Sequence, residues 1–299
     1  MRIGLTGGTG FIGRNLIEEY GSEYDFVVLT RRETFDGLSK KARYIHIEVD
    51  TDFAKIFEDC DAVIHLGGYV MHGMDESLHP EKYLENITLS EKVFDACQRL
   101  GIHNVINASS VAVYDQIDEQ PVDEEGKCQP NSIYGVMKLA VEKIAEIYNR
   151  RFGMNIKSLR LSQGVGITED MDEKSFWTML LSNPSSGKPI PVYGEGVTGR
   201  DIIYVKDMVY GIICALRHPE EKGVFNIGTG RITSNMELAE VFCRQFPSNA
   251  GIVRLDCKES GIRTCMDISK AKKVLGYEPR YDLKKMAEEM CREYLRMIQ

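Results

Sequence analysis

Tyr134 and Lys138 stand four residues apart at the head of a helical pattern that runs from Ser132 to Arg151. An α-helix completes a turn in ~3.6 residues, so this spacing puts both side chains on one face. A phenol beside an ammonium can exchange protons. Free tyrosine titrates near ~10 and is a poor base at neutral pH, but a neighbouring cation favours the phenolate. A second set lies near the start, where Thr6-Gly7-Gly8-Thr9-Gly10-Phe11-Ile12-Gly13 follows an apolar run and opens an amphipathic one. The pyrophosphate of a dinucleotide needs a tight turn, backbone without Cβ in the way, and a helix N-terminus whose N–H groups face the anion. Gly7, Gly10 and Gly13 supply these in a G-x-x-G-x-x-G spacing rather than the commoner G-x-G-x-x-G.

The elements that must position these groups follow a βαβ rhythm. Apolar runs at Ile3 to Leu5, Phe26 to Leu29, Tyr44 to Val49, Ala62 to Leu66, Val105 to Ala108 and Ile156 to Leu161 predict parallel strands covered on both faces. Between them, Ile12 to Tyr20, Tyr83 to Leu100 and Ser132 to Arg151 carry apolar residues at three-and-four spacing and predict helices. The fold class expected is α/β: a Rossmann-type doubly wound parallel sheet with a smaller, interleaved C-terminal substrate-binding lobe. After Gly166 the pattern loosens around Asn183-Pro184, Gly187-Lys188-Pro189 and Gly194 to Gly199. Strands are expected again at Ile202 to Val205 and Val224 to Ile227, and helices at Met236 to Phe246 and Leu283 to Met297. The division expected is a dinucleotide-binding domain over 1–166, with returning segments at about 200–230, and a mainly substrate-binding lobe over 167–299.

A net charge of −8 over 299 residues argues against nucleic acid as a partner, because phosphate backbones need a basic face. No apolar stretch reaches the ~18 residues that span a bilayer, and the first strand begins too close to Met1 to leave room for a signal segment, so a cytoplasmic protein is expected. The eight cysteines form no C-x-x-C pair and read as reduced packing residues. His65, His72 and His79 fit no metal-ligand spacing, and no metal is expected. Where a dinucleotide site often places a carboxylate after the second strand, this chain has Thr30-Arg31-Arg32. Arginine can pair with a 2′-phosphate that a carboxylate would repel, so the cofactor is NADP or NAD with NADP favoured.

The glycine motif, Ser109-Ser110-Val111-Ala112-Val113-Tyr114 and Tyr134-Gly135-Val136-Met137-Lys138 together resemble the extended short-chain dehydrogenase/reductase family, the sugar-nucleotide epimerases and their relatives. So do Asp61 to Leu66 with Gly67-Gly68, Asn86, Arg200-Asp201 with Val205 and Asp207, Asn226-Ile227-Gly228, and the closing Asp267 to Ala271 with Leu275-Gly276-Tyr277 and Pro279. The resemblance implies an NAD(P)-dependent enzyme in which Tyr134 exchanges the proton, Lys138 also holds the nicotinamide ribose and Ser110 hydrogen-bonds the reacting oxygen. It implies cofactor contacts at Gly7, Thr9, Gly10, Phe11, Ile12, Gly13, Arg31, Arg32, Asp50, Thr51, Leu66, Gly67, Gly68, Asn86, Ser109, Tyr134, Lys138 and Leu161. Substrate contacts are expected at Ser110, Val111, Tyr134, Gln163, Arg200 and Arg263. A homodimer packed through Tyr83 to Leu100 and Ser132 to Arg151 is implied as well.

Relatives of the dTDP-glucose dehydratase kind carry Asp-Glu just after the catalytic Ser/Thr, and UDP-glucuronate decarboxylase-like members carry Glu one residue later. Val111 and Ala112 stand here, and neither can move a proton. GDP-fucose synthase-like enzymes use Cys at the place of Ala112. What remains is chemistry at one carbinol carbon: a 4-epimerase or a 4-keto reductase of a nucleotide sugar. Gln163 replaces the family's Asn, and Lys258-Glu259 occupy the place of its second arginine, with Arg263 a shifted substitute. These departures leave the nucleotide open, along with a dehydrogenase of a non-nucleotide alcohol. A non-catalytic NAD(P)-sensing or scaffold protein is the alternative of another class, against which the intact Ser110, Tyr134 and Lys138 argue.

Overall fold

The run Arg2–Thr6, buried along nearly its whole length, forms β1 in the interior of a parallel sheet. The computed structural model describes residues 1–69, 80–114, 120–168, 171, 175–248, 250–257 and 263–298. From β1 the chain passes through α1 (Phe11–Tyr20), β2 (Asp25–Thr30), β3 (Ala42–His46), α2 (Phe53–Phe57), β4 (Ala62–His65), α3 (Pro80–Leu100) and β5 (Asn104–Ser110). A 3₁₀ turn (Val111–Val113), α4 (Ile133–Phe152) and β6 (Asn155–Leu161) complete the first half. The second half runs β7 (Gln163–Val165), α5 (Phe176–Ser185), β8 (Ile190–Tyr193), β9 (Gly199–Tyr204), α6 (Val205–Leu216), β10 (Gly223–Ile227) and β11 (Ile232–Ser234). It ends with α7 (Asn235–Cys243), β12 (Ile252–Leu255), β13 (Arg263–Thr264), α8 (Ser269–Leu275) and α9 (Leu283–Met297).

Seven strands pair in the order β3-β2-β1-β4-β5-β6-β10, every pair parallel. This is the expected doubly wound α/β sheet, with β10 returning from the second half to lie beside β6. One face is covered by α2, α3 and α4, whose Phe53, Phe57, Phe94, Met137 and Val141 pack on Val63, Val105 and Ile156. The other face carries α1 and α6 through Leu16, Ile17, Ile212 and Ile213, and α9 packs against α7. Strand order reverses between β1 and β4, so the loops leaving these two strands open a crevice at the carboxyl edge, where α/β sheets take ligands.

The strand expected at Tyr44 to Val49 forms earlier, as Ala42–His46. The strand expected at Ile202 to Val205 forms as Gly199–Tyr204, and Val205 opens a helix instead. That helix, α6, has ten of its twelve residues buried. A second sheet gathers β7, β9, β11 and β13. In it β9 pairs parallel with β7 and β13 and antiparallel with β11. Among the described residues no helix is long and apolar enough to cross a membrane, and no group of three His, Cys, Asp or Glu could hold a metal ion. His72 and His79 lie outside the described residues.

Candidate active site

The glycine turn is built by close backbone contact. Gly7 has φ +71°, a left-handed conformation, and a Cβ there would sit 2.6 Å from the Gly67 nitrogen. A Cβ on Gly13 would run into the Gly7 carbonyl. The Gly10 N–H donates to Gly7 O at 3.0 Å, and the turn is fastened to the loop after β4 by Gly67 N–H donating to Thr6 Oγ1 at 3.0 Å. Gly10 caps α1 with no side-chain hydrogen bond, so its first turn presents backbone donors to the crevice. This cradle fits a dinucleotide pyrophosphate. Arg14 braces it by donating to Thr9 O at 2.8 Å. Phe11 turns toward Gly164 and Gly166, and Ile12 packs half-buried on the core.

Behind the turn, His65 is buried, and burial pushes its imidazole down to about 3 with the nearby Lys138 charge acting the same way. It is therefore neutral. Its Nδ1 lies 2.6 Å from Thr6 Oγ1 and its Nε2 lies 2.9 Å from Ser90 Oγ, tying the end of β1 to α3. Asn86 faces the same loop: it accepts from Tyr69 N–H at 2.5 Å and donates to Tyr69 O at 2.8 Å, shaping the segment that holds Leu66, Gly67 and Gly68. On the other flank Arg31 and Arg32 leave β2 exposed, with Arg32 N–H donating to Thr30 Oγ1 at 3.2 Å. Asp50 is exposed on the loop before α2, and Thr51 Oγ1 accepts from Glu48 N–H at 2.8 Å.

Ser110 ends β5 and caps the 3₁₀ turn, accepting from Ala112 N–H at 3.1 Å. Ser132 caps α4 by accepting from Gly135 N–H at 3.0 Å. Gly135 lies so close to Ala112 O that any side chain would collide, and this approach sets the first turn of α4 against the 3₁₀ turn. Tyr134 thereby reaches Ser110 and the two are hydrogen-bonded. Burial raises the Tyr134 phenol above its ordinary value, opposed by that hydrogen bond. Lys138 Nζ donates to Ala108 O at 2.6 Å and lies 5.7 Å from the Tyr134 ring centroid. Burial brings the ammonium down to about 8, opposed by the Glu142 charge. The expected lowering of the phenol by Lys138 is not seen here, because the ammonium is turned to a strand carbonyl and desolvation dominates. Ser109 points inward, donating to Glu142 Oε1 at 2.5 Å, and Leu161 is buried in register with Ser110.

Of the expected substrate residues, Gln163, Arg200 and Arg263 lie in the second sheet, on β7, β9 and β13. Arg200 donates to Gln163 Oε1 at 3.4 Å, and both border a cavity of about 350 Å³. Register pairs Arg263 with Gly199, which brings its backbone beside Arg200. Asp201 and Asp207 are engaged elsewhere, on the backbone of Thr229 and Gly230 and of Arg280 and Tyr281. Phe176, Trp177, Tyr193 and Asn235 also line this cavity and were not anticipated. They come from segments without periodic pattern, and the chain's single Trp was the one available signal. Lys258, Glu259 and Gly261 lie outside the described residues.

A glycine-turn dinucleotide cradle facing a Ser-Tyr-Lys group on a doubly wound sheet defines a short-chain-type NAD(P)-dependent enzyme. The description "NAD dependent epimerase/dehydratase family" matches residues 3–228, and the chain belongs to that family. It is similar to the uncharacterized UDP-glucose epimerase YtcB of Bacillus subtilis, with 29% identity covering 95% of both chains. Among solved structures it resembles UDP-N-acetylglucosamine 4-epimerase from Bacillus cereus, with TM-score 0.85 and 28% identity over 98% of this chain and 96% of that one. It also resembles UDP-glucuronic acid 4-epimerase from Bacillus cereus in complex with NAD, with TM-score 0.82 and 25% identity over 100% and 99% of the two chains.

Proposed function

We propose that this protein is a nucleotide-sugar 4-epimerase that oxidises the C4 carbinol to a ketone and reduces it again from the other face. One observation carries the reading: Tyr134 is hydrogen-bonded to Ser110 in a site whose next two residues, Val111 and Ala112, have no group to move a second proton. Elimination or deprotonation at a neighbouring carbon would lack its acid and base. Bound over the Gly7 to Gly13 turn, a nicotinamide dinucleotide supplies acceptance and return of hydride. Tyr134 removes the hydroxyl proton as the ketone forms and gives it back on reduction. Ser110 hydrogen-bonds the reacting oxygen, and Lys138 holds positive charge one helical turn below the phenol and binds the nicotinamide ribose. Arg200 binds the diphosphate, with Gln163 and Arg263 beside it, and the aromatic cavity takes the remainder of the nucleotide.

The test is incubation of the protein with UDP-glucose, UDP-N-acetylglucosamine and UDP-glucuronic acid in deuterated water. Conversion to the 4-epimer with no deuterium on carbon is expected. Deuterium at C3 or C5, or no conversion of any of the three, overturns the reading. A second reading, a 4-keto reductase that exchanges NADPH, is favoured by Arg31 and Arg32 standing exposed after β2. Native mass spectrometry of freshly purified protein separates the two: retained NAD supports the epimerase, and empty protein that takes up NADPH supports the reductase.

The protein forms a homodimer through α3 and α4. Support comes from Leu84 and Val136, apolar yet 65% and 54% exposed on those helices, and from Ile147 on the same stretch of α4. A monomeric mass in light scattering removes this claim. Residues 1–166 with the returning β10 act as the dinucleotide-binding domain, and 167–299 mainly as the substrate lobe.

A further inference from the structure

Three successive turns of α4 grip the last three residues of β5. Tyr134 binds Ser110, Lys138 binds Ala108 O at 2.6 Å, and Glu142 accepts from Ser109 Oγ at 2.5 Å. Spacing of four places the three side chains on one helical face, one above the other. Only the third lies outside the machinery described so far. Glu142 is buried and ion-paired with Arg160 of β6, its Oε1 accepting from Nε at 3.0 Å and its Oε2 from Nη2 at 2.8 Å. Arg160 in turn donates to the Tyr114 hydroxyl at 2.6 Å, and Tyr114 donates to Asn226 Oδ1 at 2.9 Å, which joins the network to β10. Both oxygens of this buried carboxylate are thus held in place, by the guanidinium and by the Ser109 hydroxyl.

We propose that Glu142 is a positioning residue of the reaction: from the turn below Lys138 it fixes the end of β5 that presents Ser110, and it sets a carboxylate one helical turn from the Lys138 ammonium. The inference rests on the epimerase reading for its kinetic consequence. The groups that bear on Lys138 are Tyr134 and Glu142 on α4, neutral His65 on β4, Tyr83 on α3 through Tyr134, and Arg160 on β6 through Glu142. Glu142 is the anion in that set and opposes the desolvation that brings Lys138 down to about 8. The ammonium is present below that value and lost as pH rises through it, so the alkaline limb of activity reports it. Glu142→Gln removes the anion and leaves Arg160 positive, and both changes push Lys138 further down. Arg160→Met leaves Glu142 as an unpaired anion and acts in the opposite sense.

The experiment is the pH profile of kcat/KM for wild type, Glu142→Gln, Arg160→Met and Glu142→Asp. The [13Cε]lysine NMR titration of each is recorded alongside, with the Lys138 signal assigned by Lys138→Arg. In Glu142→Gln the limb and the Lys138 titration are expected to move down by about one pH unit. In Arg160→Met they should stay at or above wild type, and Glu142→Asp should recover most of the shift. An unmoved Lys138 titration in Glu142→Gln overturns the inference, as does equal downward movement in Glu142→Gln and Arg160→Met, which marks a merely structural pair. Should Glu142→Gln fail to fold, the titrations of Arg160→Met and Glu142→Asp decide. A wild-type protein inactive on every nucleotide sugar refutes the epimerase reading, while the NMR titration still judges Glu142.

Discussion

The crevice has two walls built in different ways. The wall that we propose holds the cofactor is made where backbone meets backbone: Gly7 against Gly67, Gly13 against Gly7 O, and α1 capped by a glycine. The wall that we propose for the substrate draws on strands distant in sequence. Gln163 on β7 and Arg200 on β9 meet only because these strands pair parallel in one register, with β13 bringing Arg263 to the same edge. The first wall tolerates little change at Gly7 and Gly13, where a Cβ would strike peptide. The second can change its ligand by exchanging side chains on an unchanged backbone, and this separates the reaction performed from the molecule chosen.

Mutations can break that division. Under the proposed mechanism Tyr134 moves the proton and binds neither ligand's diphosphate, so Tyr134→Phe should lower kcat by roughly 10²- to 10⁴-fold while leaving cofactor and nucleotide affinity in place. Calorimetry of both ligands beside steady-state rates checks it, and unchanged rates exclude Tyr134 as the acid/base. Arg200→Ala removes a charge-assisted contact and should weaken kcat/KM by roughly 10- to 100-fold. The loss is expected in KM, with kcat held. A fall in kcat alone, or equal loss of cofactor affinity, would merge the two walls. Gly7→Ala forces a side chain into a left-handed, crowded position, a strain of about 1–3 kcal/mol, and should weaken dinucleotide binding by about tenfold with substrate KM little altered. Arg31→Asp has the smallest expected effect, a shift of the NADP-to-NAD affinity ratio toward NAD by about tenfold or less. An unchanged ratio removes Arg31 from adenosine recognition.

Local spacing made much of the first wall readable. Strand, glycine turn and helix follow within residues 2–20, and Tyr134 and Lys138 share a face because helical geometry alone puts them there. The parallel sheet was legible from strands apolar on both faces, and only the edges of elements moved, as at Ala42–His46. The start of α6 was masked by the strand before it, because the apolar run Ile202 to Val205 continues across the strand-to-helix junction at Val205.

What the chain by itself determined was the pairing of Tyr134 with Lys138 and the glycine turn before α1, because the members of each lie one helical turn or one tight turn apart. Tertiary structure alone decided that Lys138 binds the carbonyl of Ala108, that Ser109 faces inward to Glu142 and Arg160, and that Phe176, Trp177 and Arg200 share a cavity. Those contacts depend on strand order and register, which arise from long-range packing and leave no mark in the spacing of neighbouring residues.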